Sequence, residues 1–441
     1  MIEVLRAVGT FRGIARAGTD AETLRRFRTA QLRRVVDHAY ARVPYYRRLF
    51  DTYGVSPSDI REPDDLRRLP VTTRKTLQSL PDEDLLARGV DLRLLNTYTT
   101  SGSSGRVLTV RRTWVEDRVL GGLRLRAMRS YGLSRRDHVV TLLGAMSSRR
   151  PGRSRLQRLL ARRGVRAAIV DCTAPIDDVV CEIVRLRPTV LSGYPGALLR
   201  VAAAADPRVL RALGIRFVYS GGEVLTPAMR ERITAAFEAP LYDVYACFEF
   251  NLVAAQCPTT AAYHVCDAGL VLEVLDGHRP VARGERGTVV GTCLHAYAMP
   301  FIRYELGDVV TRGEAGCACG ARVSTLHEVS GRMIDFFPLP DGRVVHPYGV
   351  FLPIRQRSPW IRTFQVTQRR IDHFVMQVVA SPPPTAEQVA LVREMAAARL
   401  GAGVRFDLEI VPDLAVETSG KFRVYRSLVH SEYEGTPPER A

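Results

Sequence analysis

At 441 residues, with 46% hydrophobic and 25% charged side chains, the chain is long enough for two or three domains of ordinary globular composition. No apolar run reaches bilayer-spanning length, and Met1-Ile2-Glu3-Val4-Leu5-Arg6 lacks a signal-peptide core, so no membrane partner is expected and the cytoplasm is the expected location. A net charge of +17 raises the question of nucleic acid, but no zinc-finger, RNP or KH signature is present and aromatics do not interleave the charge, so nucleic acid is not an expected partner.

In chain order, residues 20–52 read as helix, with Leu24, Phe27, Leu32, Val35, Val36 and Ala39 on one face and a stop before Val43-Pro44-Tyr45-Tyr46, because proline biases its predecessor out of the helical region. From about 90, short apolar runs (139–143, 189–191, 217–219) alternate with helical segments (174–186, 196–213, 226–237), which predicts an α/β layered core. The stretch 149–166 carries eight arginines among Leu156, Leu159 and Leu160, the pattern of an amphipathic helix with a basic face. Such a face is either solvated surface or a seat for a small phosphorylated ligand such as coenzyme A. Beyond 265 helices give way to strands (271–275, 287–292, 301–304) of a β-rich subdomain. After about 332 the order strand, strand (362–368), strand (372–379), helix (385–400), strand (404–411) describes a small α+β unit.

Two segments carry chemistry of their own. Thr99-Thr100-Ser101-Gly102-Ser103-Ser104-Gly105-Arg106 packs hydroxyls and glycines into one turn, where backbone N–H groups and side-chain hydroxyls can surround an anion, although a hairpin turn would have the same composition. It is not a Walker A loop, since no Gly-Lys-Ser/Thr follows and the chain continues as a strand-like run. All but two of the basic residues are arginine; one exception, Lys421, lies in Thr418-Ser419-Gly420-Lys421 near the C-terminus. A compact ammonium on a flexible stem after a glycine turn suits delivery of charge to a reacting group, or equally a solvated tail.

Between them lie Tyr219-Ser220-Gly221-Gly222-Glu223, Tyr245-Ala246-Cys247-Phe248-Glu249, Arg303-Tyr304-Glu305-Leu306-Gly307-Asp308 and Gly331-Arg332-Met333-Ile334-Asp335. The order and spacing of the set resemble the adenylate-forming superfamily of acyl-CoA synthetases and adenylation domains, over about residues 25–425. Ala41-Arg42-Val43-Pro44-Tyr45-Tyr46, Leu69-Pro70-Val71-Thr72-Thr73 and Pro300-Phe301-Ile302-Arg303-Tyr304 are similar to the phenylacetate–CoA ligase and CapK-like branch. The resemblance implies an α/β fold: a large N-terminal adenylation domain (1–331) with a β-rich subdomain, and a small mobile C-terminal α+β domain (332–441). It also leaves room for a homodimer.

By the same resemblance, Thr100, Ser101, Gly102, Ser103, Ser104 and Gly105 would hold the β- and γ-phosphates of ATP. Gly221, Gly222 and Glu223 would border the adenine, Tyr245 would stack on the base or wall the acid pocket, and Glu249 would bind Mg²⁺. Asp308 would accept the ribose hydroxyls with Arg332 nearby, Asp335 would be the hinge, and Lys421 would bridge the substrate carboxylate and the α-phosphate. Tyr194, Pro195, Tyr219, Tyr245 and Phe248 are pocket-lining candidates whose apolar and aromatic character favours a ring. Where many relatives have lysine and proline after the loop, this chain has Arg106 and Val107; Ala246, Cys247 and Phe248 stand where glycine and threonine or serine are usual, and Ile334 where an aspartate is. These departures touch the acid and acceptor sites more than adenylation.

Cys257 and His264 form one candidate ligand pair and Cys317 and Cys319 a second, together a closed Cys₃His set suited to structural Zn²⁺, an arrangement some of these relatives also carry; Cys266 could replace either member of the first pair. Cys172, Cys181 and Cys293 read as core thiols. The expected function is ATP-dependent adenylation of a carboxylic acid, aromatic in preference, with transfer to a thiol, coenzyme A foremost. The rivals are a same-fold amide ligase, a nitrite-adenylating diazotase, and a non-catalytic relative that holds a polyanion.

Overall fold

The N-terminal helix Ala21–Arg42 begins at Asp20, whose carboxylate accepts the Thr23 N–H at 2.8 Å, and buries Leu24, Leu32, Val35, Val36 and Ala39. Val43 is extended (φ −109°, ψ 113°), as the following proline requires, and Pro44 then opens a second helix, Pro44–Thr52, that buries Tyr46 and Phe50. The stop before Val43 falls where the proline predicts it, and the rest of the stretch is a second helix. The computed structural model describes residues 13–14, 20–99, 108–143, 148–149, 165–172, 174–332, 337–342, 344–345, 347–414 and 424–429.

A twelve-stranded sheet forms the frame. Its parallel half runs Arg166–Asp171, His138–Leu143, Val190–Gly193, Phe217–Gly221, Leu241–Tyr245 in spatial order. At Leu241–Tyr245 the direction reverses, and Ala254–Gln256, Tyr263–Val265, Ser324–Arg332, Tyr304–Ala315, Arg286–Cys293, Leu270–Asp276 and Arg279–Pro280 continue it antiparallel. The central parallel strands read as buried apolar runs because helices such as Ile176–Leu186, Pro195–Ala204 and Pro227–Phe237 pack against them, with Leu198, Val201 and Ile233 in the shared core. A second layer over the antiparallel half is the core around Phe250, Phe301 and Tyr304.

The expected strand 301–304 begins only at Tyr304. Arg303 sits at φ +46°, a left-handed conformation that ends any strand pattern. It is held by a bidentate ion pair to Glu273 (3.0 Å at both nitrogens), with both side chains about a tenth exposed or less. Removing one partner of such a buried pair costs about 3–5 kcal/mol.

The C-terminal residues build a separate four-stranded sheet in the order Arg405–Ile410, His373–Ala380, Ile361–Arg370, Tyr425–Ser427, with its own core of Phe337, Phe351, Phe374 and Val392. Ile361–Arg370, His373–Ala380, Arg405–Ile410 and the helix Ala386–Leu400 follow expectation; the helix Pro347–Arg357 and the strand Tyr425–Ser427 were not expected. Cys172 and Cys293 are buried, whereas Cys181 is exposed on its helix, contrary to its core assignment. Most of the arginine-rich stretch 149–166 lies outside the described residues; Ser148–Arg149 and Arg166–Asp171 are strands at its two ends. No helix among the described residues is long and apolar enough to cross a membrane.

Candidate active site

Ligands of open α/β sheets bind beyond the C-terminal ends of parallel strands, and here three such ends carry the sequence candidates. After Val190–Gly193 come Tyr194 and Pro195; after Phe217–Gly221 come Gly222 and Glu223; after Leu241–Tyr245 comes the turn to Glu249. The first two loops interlock. Gly222 adopts φ +82°, and a Cβ there would lie 2.9 Å from the Tyr194 ring, so only glycine fits. A Cβ on Gly221 would lie 2.6 Å from the Val244 carbonyl oxygen. The Glu223 carboxylate accepts the Gly196 N–H at 3.0 Å, tying the turn to the start of the neighbouring helix.

The antiparallel half supplies the other carboxylate. Tyr245 donates its hydroxyl to Asp308 Oδ2 at 2.5 Å, with both side chains buried. Tyr304 donates to Glu249 Oε1 at 3.2 Å, and Glu249 is 4% exposed. Two acidic side chains from opposite sides of the sheet reversal are thus each touched by a neutral phenol. Burial pushes the Tyr304 hydroxyl well above its usual value, with the Glu249 charge adding to this, so it stays a donor. Burial and then Glu249 likewise push up the Cys247 thiol, which keeps it from being a nucleophile.

Phe248 is half-buried and stacks on Tyr98 with ring centres 5.7 Å apart. Tyr98 belongs to Asn96–Thr99, which pairs with Thr109–Arg112 on either side of the hydroxyl-rich segment. Beneath it Asp117 accepts from Asn96 and from the Tyr98 hydroxyl and pairs with Arg112 at 3.0 Å, while the Arg112 guanidinium lies 4.6 Å from the Tyr98 ring centre. Pro195 is buried at the first turn of its helix. Tyr219 is 8% exposed and packs with Phe217 in a core cluster.

The roles of Tyr98, Asp117 and Tyr304 were missed in the sequence. Tyr304 stood inside a quoted motif, but nothing local shows that its hydroxyl meets Glu249, 55 positions earlier. Thr100, Ser101, Gly102, Ser103, Ser104, Gly105, Asp335 and Lys421, and the side chain of Arg332, lie outside the described residues. The backbone of Arg332 pairs with Asp308 across adjacent strands.

Cys257, His264, Cys317 and Cys319 converge, their ligand atoms all within 4.8 Å of one another. Cys266 is not in the group; it is half-buried, in contact range of Gly269. Burial disfavours the Cys257 thiolate, yet hydrogen bonds from Thr259 and Thr260 bring this thiol down to about 6. The Ala321 N–H favours the Cys319 thiolate, whereas burial and then the neighbouring Cys317 and Cys257 push the thiol up. Three soft donors and one imidazole at this separation, with N–H groups aimed at sulfur, fit tetrahedral Zn²⁺.

A cavity of about 480 Å³ lies where the two lobes meet, lined by Thr226, Arg232 and Tyr263 from one lobe and Arg355, Arg362 and Tyr425 from the other.

Residues 338–427 match the CapK C-terminal domain family. Phenylacetate-coenzyme A ligase of Escherichia coli (strain K12) is 27% identical over 71% of this chain and 72% of the relative. Its counterpart in Thermus thermophilus is 25% identical over 82% of each. Among solved structures, 2-hydroxyisobutyryl-CoA ligase in the postadenylation state superposes with a TM-score of 0.75 at 21% identity, covering 94% of this chain and 91% of that one. In its thioesterification state the same ligase gives 0.60 at 20% identity, covering 93% and 90%. The chain therefore has the fold of these AMP-forming ligases.

Proposed function

We propose that the protein is an AMP-forming acid–thiol ligase that adenylates a carboxylic acid with ATP and passes the acyl group to coenzyme A. The observation that carries this reading is the meeting of Tyr245 with Asp308 and of Tyr304 with Glu249 beside the Gly221-Gly222 turn, in a chain similar to phenylacetate–CoA ligases. In the first step a substrate carboxylate oxygen attacks the α-phosphorus of ATP and pyrophosphate leaves. In the second a thiolate attacks the acyl carbon and AMP leaves with the bonding electrons. The first step brings anions together, so donors must be fixed before reaction.

In this reading the Gly221-Gly222-Glu223 turn borders the base, Asp308 accepts the ribose hydroxyls, and Tyr245 orients Asp308. Glu249 is an oxygen donor of the kind Mg²⁺ takes, and that ion, when bound, offsets phosphate charge. Thr100 to Gly105 grip the phosphates, and Lys421 with Arg332 meets the α-phosphate once the C-terminal lobe, from residue 332 onward about a hinge at Asp335, is closed. Tyr194, Pro195, Tyr219, Tyr245 and Phe248 with its partner Tyr98 favour an aromatic acid. Zn²⁺ at Cys257, His264, Cys317 and Cys319 is structural. None of the eight cysteines is paired in a disulfide, which suits the reducing cytoplasm.

The test is pyrophosphate release from ATP with a panel of acids, with and without coenzyme A. Release should depend on the acid, favour aromatic acids and consume thiol one for one. Glu249→Gln should lower the rate by at least about a hundredfold. Release without thiol consumption would point to the amide ligase or the diazotase. Neither release nor an ATP-dependent thermal shift would leave the polyanion-binding relative.

A further inference from the structure

Asp243 is buried on Leu241–Tyr245, two positions before Tyr245, and nothing in the reaction above uses it. Its Oδ1 accepts the Ser220 hydroxyl at 2.7 Å and its Oδ2 accepts the Tyr263 hydroxyl at 2.8 Å. Its backbone N–H donates to Gln256 Oε1 at 3.0 Å, and that same oxygen accepts from Arg230 at 2.8 Å. Ser220 immediately precedes Gly221-Gly222. Gln256 and Tyr263 are paired across a short antiparallel ladder, and each immediately precedes a member of the Cys₃His cluster, Cys257 and His264. The cluster therefore closes the end of a hairpin whose last facing pair grips Asp243.

We propose that Tyr263 and Gln256 are positioning residues for the nucleotide: together they hold Asp243, and through it Ser220, behind the Gly221-Gly222 turn. The proposal rests on the ligase reading for what the turn borders. Its physical basis is the cost of leaving a buried carboxylate short of a donor: the group recovers its hydrogen bond only by shifting the strand that carries it. A shift of Leu241–Tyr245 passes through the Ser220 hydroxyl and the parallel ladder to Phe217–Gly221 and so to the turn, where the space beside Gly221 and Gly222 does not admit even a Cβ.

The experiment uses the full chain with its metal bound. Tyr263→Phe removes one hydroxyl and little volume. Nucleotide binding is measured by calorimetry without acid, and KM for ATP, KM for the acid and kcat with both substrates; zinc per chain is counted by elemental analysis. The expected result is a rise in the ATP dissociation constant and KM on the order of tenfold, with kcat and the KM for the acid within about twofold and zinc unchanged. Ser220→Ala should do the same. The double variant should be less than additive, since both changes break one chain of contacts. Unchanged nucleotide affinity in a folded Tyr263→Phe protein overturns the proposal, as does loss of zinc with it. Wild-type protein that binds no nucleotide would instead defeat the ligase reading.

Discussion

His295 titrates outside the site. It is buried, its Nε2–H donates to the Ala268 carbonyl at 2.8 Å, and the Phe27 ring lies 6.2 Å away. Burial lowers its pKa to about 4 from an ordinary value of 6.5, the Ala268 hydrogen bond opposing this in part. The folded protein thus holds it neutral while the unfolded chain protonates it. Its contribution to stability is complete above pH 6.5 and is lost as pH falls from 6.5 toward 4, amounting to about 3 kcal/mol. His295→Gln keeps an N–H for Ala268 but cannot titrate. Denaturant unfolding at a series of pH values should show a shallower loss of stability between pH 6.5 and 4 in the variant, and equal slopes would refute the assignment.

At the scale of elements, the Cys₃His cluster joins Tyr263–Val265 to the turn after Tyr304–Ala315, two parts of the sheet far apart in sequence. Cys319→Ser, or a strong chelator, should remove about one zinc per chain and lower the melting temperature; a variant that kept both its zinc and its stability would contradict the structural role. How much of this could be read beforehand depended on whether the signal was local. Helix starts at Asp20, Thr226 and Thr385 were legible because each carries its own side-chain cap. The ligand pairs were legible as short spacings. Pro347–Arg357 was not, because Pro353 inside it argues against helix; the burial of Val350, Phe351 and Ile354 offsets that cost. Likewise Arg303 turns left-handed for a partner thirty positions earlier, and Asp117 anchors Tyr98 through bonds no periodicity encodes.

For the whole molecule, the superposition is higher with the neighbour in its postadenylation state than in its thioesterification state, 0.75 against 0.60. The proposed role of Lys421 belongs to the first half-reaction alone. Lys421→Ala should cut acid-dependent pyrophosphate release about a thousandfold or more while leaving thioester formation from a supplied acyl-adenylate nearly unchanged. Equal loss in both half-reactions, measured separately by rapid quench, would remove the lysine from its assigned place.

The cavity at the lobe junction has an electrostatic consequence. Burial and then the neighbouring Arg362 pull Arg232 below the usual guanidinium value, and burial and then Arg232 do the same to Arg355. Cations contributed by both halves thus line one cavity, while the Arg232 guanidinium also donates to the Arg362 carbonyl. In the proposed cycle, closing the lobes would bring these like charges together and parting them would relieve the repulsion. Added salt should weaken that repulsion.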